Sequence, residues 1–376
     1  LLQPLVMSVA HSKPLGTGHS DHLEPVYPID VARYSSVSDL LKEYAHTAFG
    51  GRNLGEAADT LERMIRDPDC LVVLTLAGAM TVAKQGLLVC EMIERGWVQA
   101  VVSTGALMAH GLVEGSGRTH FKYNPHMSDE ELCDKGYDRV YDTLELEQNL
   151  DDVDLIVRDV VEKMPEGEPL YSSLIFTALG RHLDETTPKE TRGILKSAYR
   201  AGVPVFVPAF TDSELGLDVA LMNQIRLRDG KSRRAFDPFL DLEAYARLVG
   251  IQKHAGICTI GGGVPRNWAQ QLGPFLDIME KRTGGIGRGF RFRYGVRVCP
   301  EPAHWGGLSG CTYSEGVSWG KFVPQSEGGS FSEVLCDATI AWPLLVRGLI
   351  ERLGDKPVKK NLPQPDPNEK VLLKKR

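Results

Sequence analysis

The chain has no long hydrophobic run, no Cys-x-x-Cys pair and no excess of basic charge, and each absence removes a class of protein. Its longest apolar stretch, Leu71 to Ala83, is interrupted by threonines and falls short of the roughly 20 residues a membrane helix needs. No membrane partner is therefore expected. The N-terminus lacks a basic start followed by an apolar run, which argues against secretion. The cysteines (Cys70, Cys90, Cys133, Cys258, Cys299, Cys311 and Cys336) are scattered and odd in number, as suits free thiols in a reducing cytoplasm. His120 and His126 are spaced to fit no helix face and lack a cysteine or carboxylate partner in a familiar ligand pattern, so no metal is expected. Lys and Arg number 43 against 49 Asp and Glu, a net charge of -6. That balance excludes general nucleic-acid binding and leaves room for cationic substrates.

What is present suits a soluble α/β protein: 376 residues at 42% hydrophobic content, enough for one large domain or two ordinary ones. Residues 1–34 are rich in Gly, Pro, His and Ser and read as a loose leader in which Met7 is a candidate natural start. Residues 35–354 carry the regular patterns. Residues 355–376 are rich in Pro and Lys and read as a disordered tail. The run Leu71–Leu76 is short, β-branched and apolar on both faces, as in a buried parallel strand, and Val98 to Ser103 repeats it after an intervening helix that ends at Gly96. Further strands are expected at 204–208 and 255–260, with helices at 151–164, 171–183, 189–201 and 241–248.

In such a β-α grammar the strand ends and helix N-termini share one edge. The turns Gly78-Ala79-Met80-Thr81 and Thr104-Gly105-Ala106 carry small residues that suit either a nucleotide or close helix–strand packing. Asp212 opens an acidic loop that can bind ribose hydroxyls or an amine, or merely cap a helix. Gly261-Gly262-Gly263 precedes Pro265 at a helix start, the most specific glycine cluster in the chain. The basic and aromatic stretch Phe290 to Tyr294 reads as a half-exposed strand in preference to a nucleic-acid surface.

The segment Ser309 to Phe322 places one lysine, Lys321, among glycines, hydroxyls, Trp319 and Glu315. Desolvation there would lower the lysine's pKa and free its lone pair for Schiff-base chemistry, and a Ser314 cap would put Lys321 two turns along the same helix face. The run Glu315-Gly316-Val317-Ser318-Trp319-Gly320-Lys321 resembles the active-site segment of the deoxyhypusine synthase family. The glycine loop at Gly261, the Asn53-Leu54-Gly55 stretch and the Asp212 loop are similar to family segments too, so the resemblance covers about Ser36 to Leu353.

The resemblance implies a Rossmann-like parallel sheet with helices on both faces, in one large domain over 35–354, assembled as a homotetramer. It implies NAD as cofactor, held by Gly78, Ala79, Met80, Thr81, Thr104, Gly105, Ala106, Asp212, Gly262, Asp337 and Ala338. Lys321 and Glu315 are the implied catalytic pair. The implied substrate contacts are His110, Asn267, Gly306, Gly307, Leu308, Glu315 and Trp319. Four of the family's polyamine-contacting positions are occupied differently, by His110, Leu217, Asn267 and Leu308, and the lost carboxylates weaken the case for spermidine. The expected activity is thus NAD-dependent transfer of an aminobutyl or aminopropyl group from putrescine, spermidine, agmatine or a related amine to a small amine. The alternatives are a true deoxyhypusine synthase acting on a translation factor and an inactive paralogue serving as a regulatory or oligomeric subunit.

Overall fold

A computed structural model describes residues 16–284, 289–307 and 309–366; Leu308, the first part of the expected leader and the far tail lie outside the described residues. The strands in chain order are β1 (Cys70–Leu76), β2 (Ala100–Ser103), β3 (Phe121–Lys122), β4 (Tyr137–Val140), β5 (Thr143–Leu146), β6 (Val205–Phe206), β7 (His254–Ile260), β8 (Tyr294–Val298) and β9 (Ser330–Val334). Six of them form one parallel sheet in the order β6-β2-β1-β7-β8-β9. The remaining three form a small antiparallel sheet in the order β3-β5-β4.

Alternation along β1 divides the core. Cys70, Val72, Leu74 and Leu76 point to one face, where they meet the helices Phe49–Arg66, Gly86–Glu94, Gly105–Gly115 and Ala338–Leu353. Leu71 and Val73 point to the other, where they meet Tyr245, Ala269, Phe292, Tyr313 and Phe322. Both faces of the sheet are thus covered, which is why its central strands read as continuous apolar runs. The α/β class and the parallel sheet follow the expectation. Among the described residues no helix is long and apolar enough to cross a membrane.

Several local expectations change. The turn after β1 does not open a helix at once: Met80–Lys84 forms a tight turn and the helix begins at Gly86. The stretch Phe290 to Tyr294 keeps the expected alternation, with Arg291 exposed between its buried neighbours, but its ladder pairing is a single bridge from Phe292 to Phe322 before the strand begins at Tyr294. Phe290 and Phe292 are both buried, and β8, which starts at Tyr294, pairs with β7 on one side and β9 on the other. The antiparallel hairpin β4–β5 was hidden by its charge, because its outward residues are polar on a short, solvated ribbon.

The expected tail is attached as far as it is described. Val358 N–H donates to Arg95 O and Asn361 N–H to Pro68 O, pairing the segment with two loops. Lys360 Nζ donates to the carbonyls of Met64, Ile65 and Asp67 at 3.2, 2.6 and 2.8 Å. Met64 and Ile65 belong to the last turn of the helix Phe49–Arg66, whose carbonyls lack helical partners, and Asp67 is its C-cap, so the cation also meets the negative end of the helix dipole. Lys360→Ala should therefore lower the unfolding free energy by about 1–3 kcal/mol, read from the denaturant midpoint at constant m. An unchanged midpoint would show that the tail contact contributes nothing.

Candidate active site

Since the six main strands are parallel, their carboxyl ends lie along one edge. Five of the expected cofactor segments open there: Gly78–Thr81 after β1, Thr104–Ala106 after β2, Asp212 after β6, Gly262 after β7 and Asp337–Ala338 after β9. The strand order reverses at β1, with β2 on one side and β7 on the other, and such a switch point leaves a crevice between the loops. Thr104 Oγ1 donates to Gly78 O at 2.6 Å and ties the first two turns together. Thr81 is wholly buried with its hydroxyl on Leu107 O at 2.9 Å, so it shapes the turn and offers a ligand no side chain. Asp337 caps the last helix through Thr339, at 2.7 Å to its N–H. Asp212 is exposed at the rim.

Gly262 is the position where the backbone approach matters most. A Cβ there would stand 2.5 Å from Ser309 Cα, so only glycine lets the two loops touch. Ser309 Oγ accepts from Gly263 N–H at 3.0 Å and closes the contact. Gly306 and Gly307 belong to the same loop after β8, and Leu308 lies outside the described residues.

Lys321 is reached from this loop by a short helix, Tyr313–Ser318. Its cap is Thr312, not Ser314: Thr312 Oγ1 accepts from Glu315 N–H at 3.1 Å. Lys321 is also not on that helix. Gly320 adopts φ of 68°, Gly320 N–H donates to Val317 O and Lys321 N–H to Gly316 O, both at 3.0 Å. This is a Schellman ending, in which the left-handed glycine turns the chain and the next residue points back toward the helix. Phe292 N–H then donates to Lys321 O at 2.9 Å and fixes the lysine backbone to the core.

The lysine side chain is 8% exposed and its Nζ donates to Asn267 Oδ1 at 3.3 Å. Burial is the main cause that holds its pKa below the ordinary lysine value; the charge of Arg266 adds to the effect, whereas Cys311 and Glu315 oppose it. Trp319 is not what desolvates it. That ring is 64% exposed and its centroid is 6.0 Å from Nζ, at the limit of a cation–π contact. The burial comes from the protein's own interior.

Arg266 was not anticipated. It is 2% exposed, with Nη1 3.4 Å from Ser309 O and its guanidinium 5.3 Å from the Tyr313 ring, and its Nε and Nη2 have no hydrogen-bond partner among the described residues. The signal in the sequence was an arginine between Pro265 and Ala269, both on the buried face of the helix Gly263–Gln270.

The expected substrate residues do not all converge. Lys321, Asn267, Glu315 and Trp319 gather on the face of Tyr313 and Phe322. His110 lies on the helix Gly105–Gly115, whose apolar residues pack on the opposite face of the sheet. There its Nδ1 donates to Glu145 Oε2 at 2.9 Å, and His120 Nε2 stands 2.7 Å from the same oxygen. His120 thus has a carboxylate neighbour that sequence spacing did not reveal, because it is supplied by β5.

The structure is thus a doubly wound α/β fold whose glycine-lined strand edge lies beside a buried lysine with a lowered pKa, a combination that enzymes can use. The chain belongs to the deoxyhypusine synthase family, a family of transferases, whose domain its residues 39–349 match. It is 34% identical over 332 residues to "Probable deoxyhypusine synthase 2" of Methanosarcina acetivorans, covering 88% of this chain and 91% of that one. It is 31% identical over 324 residues to "Deoxyhypusine synthase-like protein" of Chlorobaculum parvum, covering 86% and 88%. The crystal structure of a putative deoxyhypusine synthase from Entamoeba histolytica superposes with a TM-score of 0.54 at 15% identity over 86% of this chain and 96% of that one, and so shares its fold.

A neutral amide beside Lys321 leaves its lowered pKa undisturbed, whereas a carboxylate there would stabilise the ammonium. In Asn267→Asp the lysine pKa should rise. Acylation of Lys321 by an amine-specific reagent, followed by peptide mass spectrometry against pH, should therefore inflect at higher pH in the variant than in the native chain. Identical inflections would show that Asn267 does not set the lysine's ionisation.

Proposed function

We propose that the protein transfers an aminoalkyl group, of the aminobutyl or aminopropyl type, from putrescine, spermidine, agmatine or a related amine to a small amine acceptor, with NAD as cofactor. The observation that carries this is Lys321: a buried primary amine, its pKa lowered by burial, hydrogen-bonded to an amide. Such an amine is nucleophilic near neutral pH.

The strand-edge loops suit NAD because Gly262 and Gly263 expose backbone at a helix start and Gly105 opens a second helix behind the Thr104 cap. When bound, NAD would accept a hydride from the donor amine and return it to the product. Lys321 Nζ attacks the oxidised carbon of the donor, expels the leaving amine and holds the alkyl group as an imine. The acceptor amine then attacks that carbon and releases the lysine. Glu315, in the first turn of the helix Tyr313–Ser318, is placed to hold an ammonium or carry a proton. Assembly as a cytoplasmic homotetramer fits the exposure of Trp305 and Trp319, which a second copy could cover.

The relatives' names favour a second reading, in which the acceptor is a lysine of a translation factor. A buried lysine whose pKa is held below the ordinary value speaks against an inactive paralogue. The test is borohydride trapping with NAD and each candidate amine, with and without an acceptor protein. An adduct on the Lys321 peptide and a soluble amine product formed without the acceptor protein are expected. Lys321→Arg should lose the adduct and at least about 10³-fold in rate. No adduct with any amine would reject the transfer mechanism, and product formation only with the acceptor protein would favour the second reading.

A further inference from the structure

Glu145 is the fixed point of a buried polar cluster built by three separate elements: His110 on the helix Gly105–Gly115, His120 just before β3, and Glu145 in β5. The three residues are 9%, 5% and 1% exposed. Glu145 Oε1 is fully used, accepting from Asn149 Nδ2 at 2.8 Å and from Leu146 N–H at 3.0 Å. Oε2 is left to the two imidazoles, with His110 Nδ1 at 2.9 Å and His120 Nε2 at 2.7 Å. The second contact is close without being a hydrogen bond. His120 Nε2 is buried and has no aligned partner among the described residues, so it is directed beside the carboxylate oxygen and not at it. Two donor atoms that stand this close without bonding are placed to share a third atom.

One ligand atom from each of the three residues lies within 4.8 Å of the others. Two donors on one first-row metal ion, at about 2.0–2.1 Å each, stand about 3.3 Å apart, so the cluster takes an ion after opening by roughly half an ångström. Imidazole and carboxylate are donors that zinc and its neighbours prefer, and two histidines with one glutamate leave a fourth position open. The outer groups suit the ion as well. Asn149 and the Leu146 amide orient the carboxylate, and Asp138, directly opposite Glu145 in β4, adds a second negative charge on the same face of the hairpin. Spacing in the sequence gave no sign of such a site, because its ligands come from three elements.

Lys84 is the group that opposes a cation. Its Nζ lies 2.8 Å from His120 Nδ1 and 2.7 Å from Glu114 Oε1. An ammonium there holds the His120 proton on Nε2, the nitrogen that must bind the metal. The lysine side chain is half exposed, however, and Glu114 Oε1 stands 3.9 Å from the same Nδ1, so the ammonium can withdraw to solvent and leave Nδ1–H to the carboxylate. That is the carboxylate–histidine–metal arrangement. Each histidine then exchanges its proton between its two nitrogens, and none is released. We propose that His110, His120 and Glu145 bind a divalent first-row transition ion such as zinc, and that Lys84 competes with it for His120. Within one chain the site is on the opposite face of the sheet from Lys321, and it does not depend on the transfer reading.

Calorimetric titration of the full chain with zinc, together with the absorption spectrum of its cobalt(II) complex, tests the site. One ion per chain should bind, and the cobalt spectrum should lack the charge-transfer band of a thiolate, which separates this site from the free cysteines. His120→Ala and Glu145→Gln should each weaken zinc binding by about 100-fold or more, with melting curves confirming the fold, while Lys321→Ala should bind as the native chain does. Lys84→Met should bind zinc at least about threefold more tightly, since the competing ammonium is gone. Lys84 is half exposed, so this variant decides if neither ligand variant folds: unchanged or weaker binding there would overturn the proposal. So would a native chain that binds no zinc, a thiolate band, affinity changed by less than about twofold in His120→Ala and Glu145→Gln, or loss of the ion in Lys321→Ala. None of these results bears on borohydride trapping at Lys321, so the metal site and the transfer reading fail separately.

Discussion

The placement of Lys321 depends on a buried guanidinium in the strand that precedes it in sequence. Arg297 in β8 pairs through Nη2 with Oε2 of Glu333, its register partner in β9, at 2.5 Å, and Nη1 donates to the carbonyls of Ser309 and Cys311, the latter at 3.0 Å. The other oxygen of Glu333 accepts from Tyr313 N–H at 2.6 Å. One ion pair therefore fixes Ser309, Cys311 and Tyr313. Breaking such a pair leaves an uncompensated buried charge, which costs about 3–5 kcal/mol. The same network sets the approach of Ser309 to Gly262, so the glycine loop and the lysine segment are positioned together.

From that anchor the chain needs only a one-and-a-half-turn helix and a left-handed glycine to deliver Lys321. Two opposed effects then set its chemistry. Desolvation and Arg266 favour the neutral amine, whereas Cys311 and Glu315 favour the ammonium, and burial prevails. Arg266 itself is costly, since two of its nitrogens find no partner among the described residues, and a buried cation is tolerated where its field is used. Placing it beside Tyr313 and Lys321 puts that field where it suppresses protonation of the lysine.

The parallel strands were legible because burial on both faces gives β1 and β7 unbroken apolar runs, and the strand-edge loops were legible through their small residues. β8 was not, because its five residues include Arg297, a charge that makes sense only with Glu333 opposite, 36 residues away. The Lys321 segment was recognisable by its residue order, but its geometry was not: Ser314 and Thr312 are equally good caps by type, and only the fold selects Thr312. The attachment of Lys360 was hidden for a similar reason, since a lysine in a Pro-rich stretch looks solvated until the open helix end beside it is known.

The division of the expected substrate residues between two faces follows from how the helices alternate. The helix after β2 crosses on the face of Leu74 and Val101, while the helix after β7 crosses on the face of Val73 and Val102. Residues that follow neighbouring strands can thus share an edge at their first turn and be separated by the sheet one turn later. Gly105 and Gly262, at the helix starts, remain at the common edge; His110 and Asn267, each five residues further on, do not. A ligand that spans the edge can reach both faces, but a side chain beyond the first turn serves only one. The acceptors around His110 and the amine of Lys321 are consequently built as two separate environments, one rich in carboxylates and one that excludes them from the lysine's immediate hydrogen-bond partner.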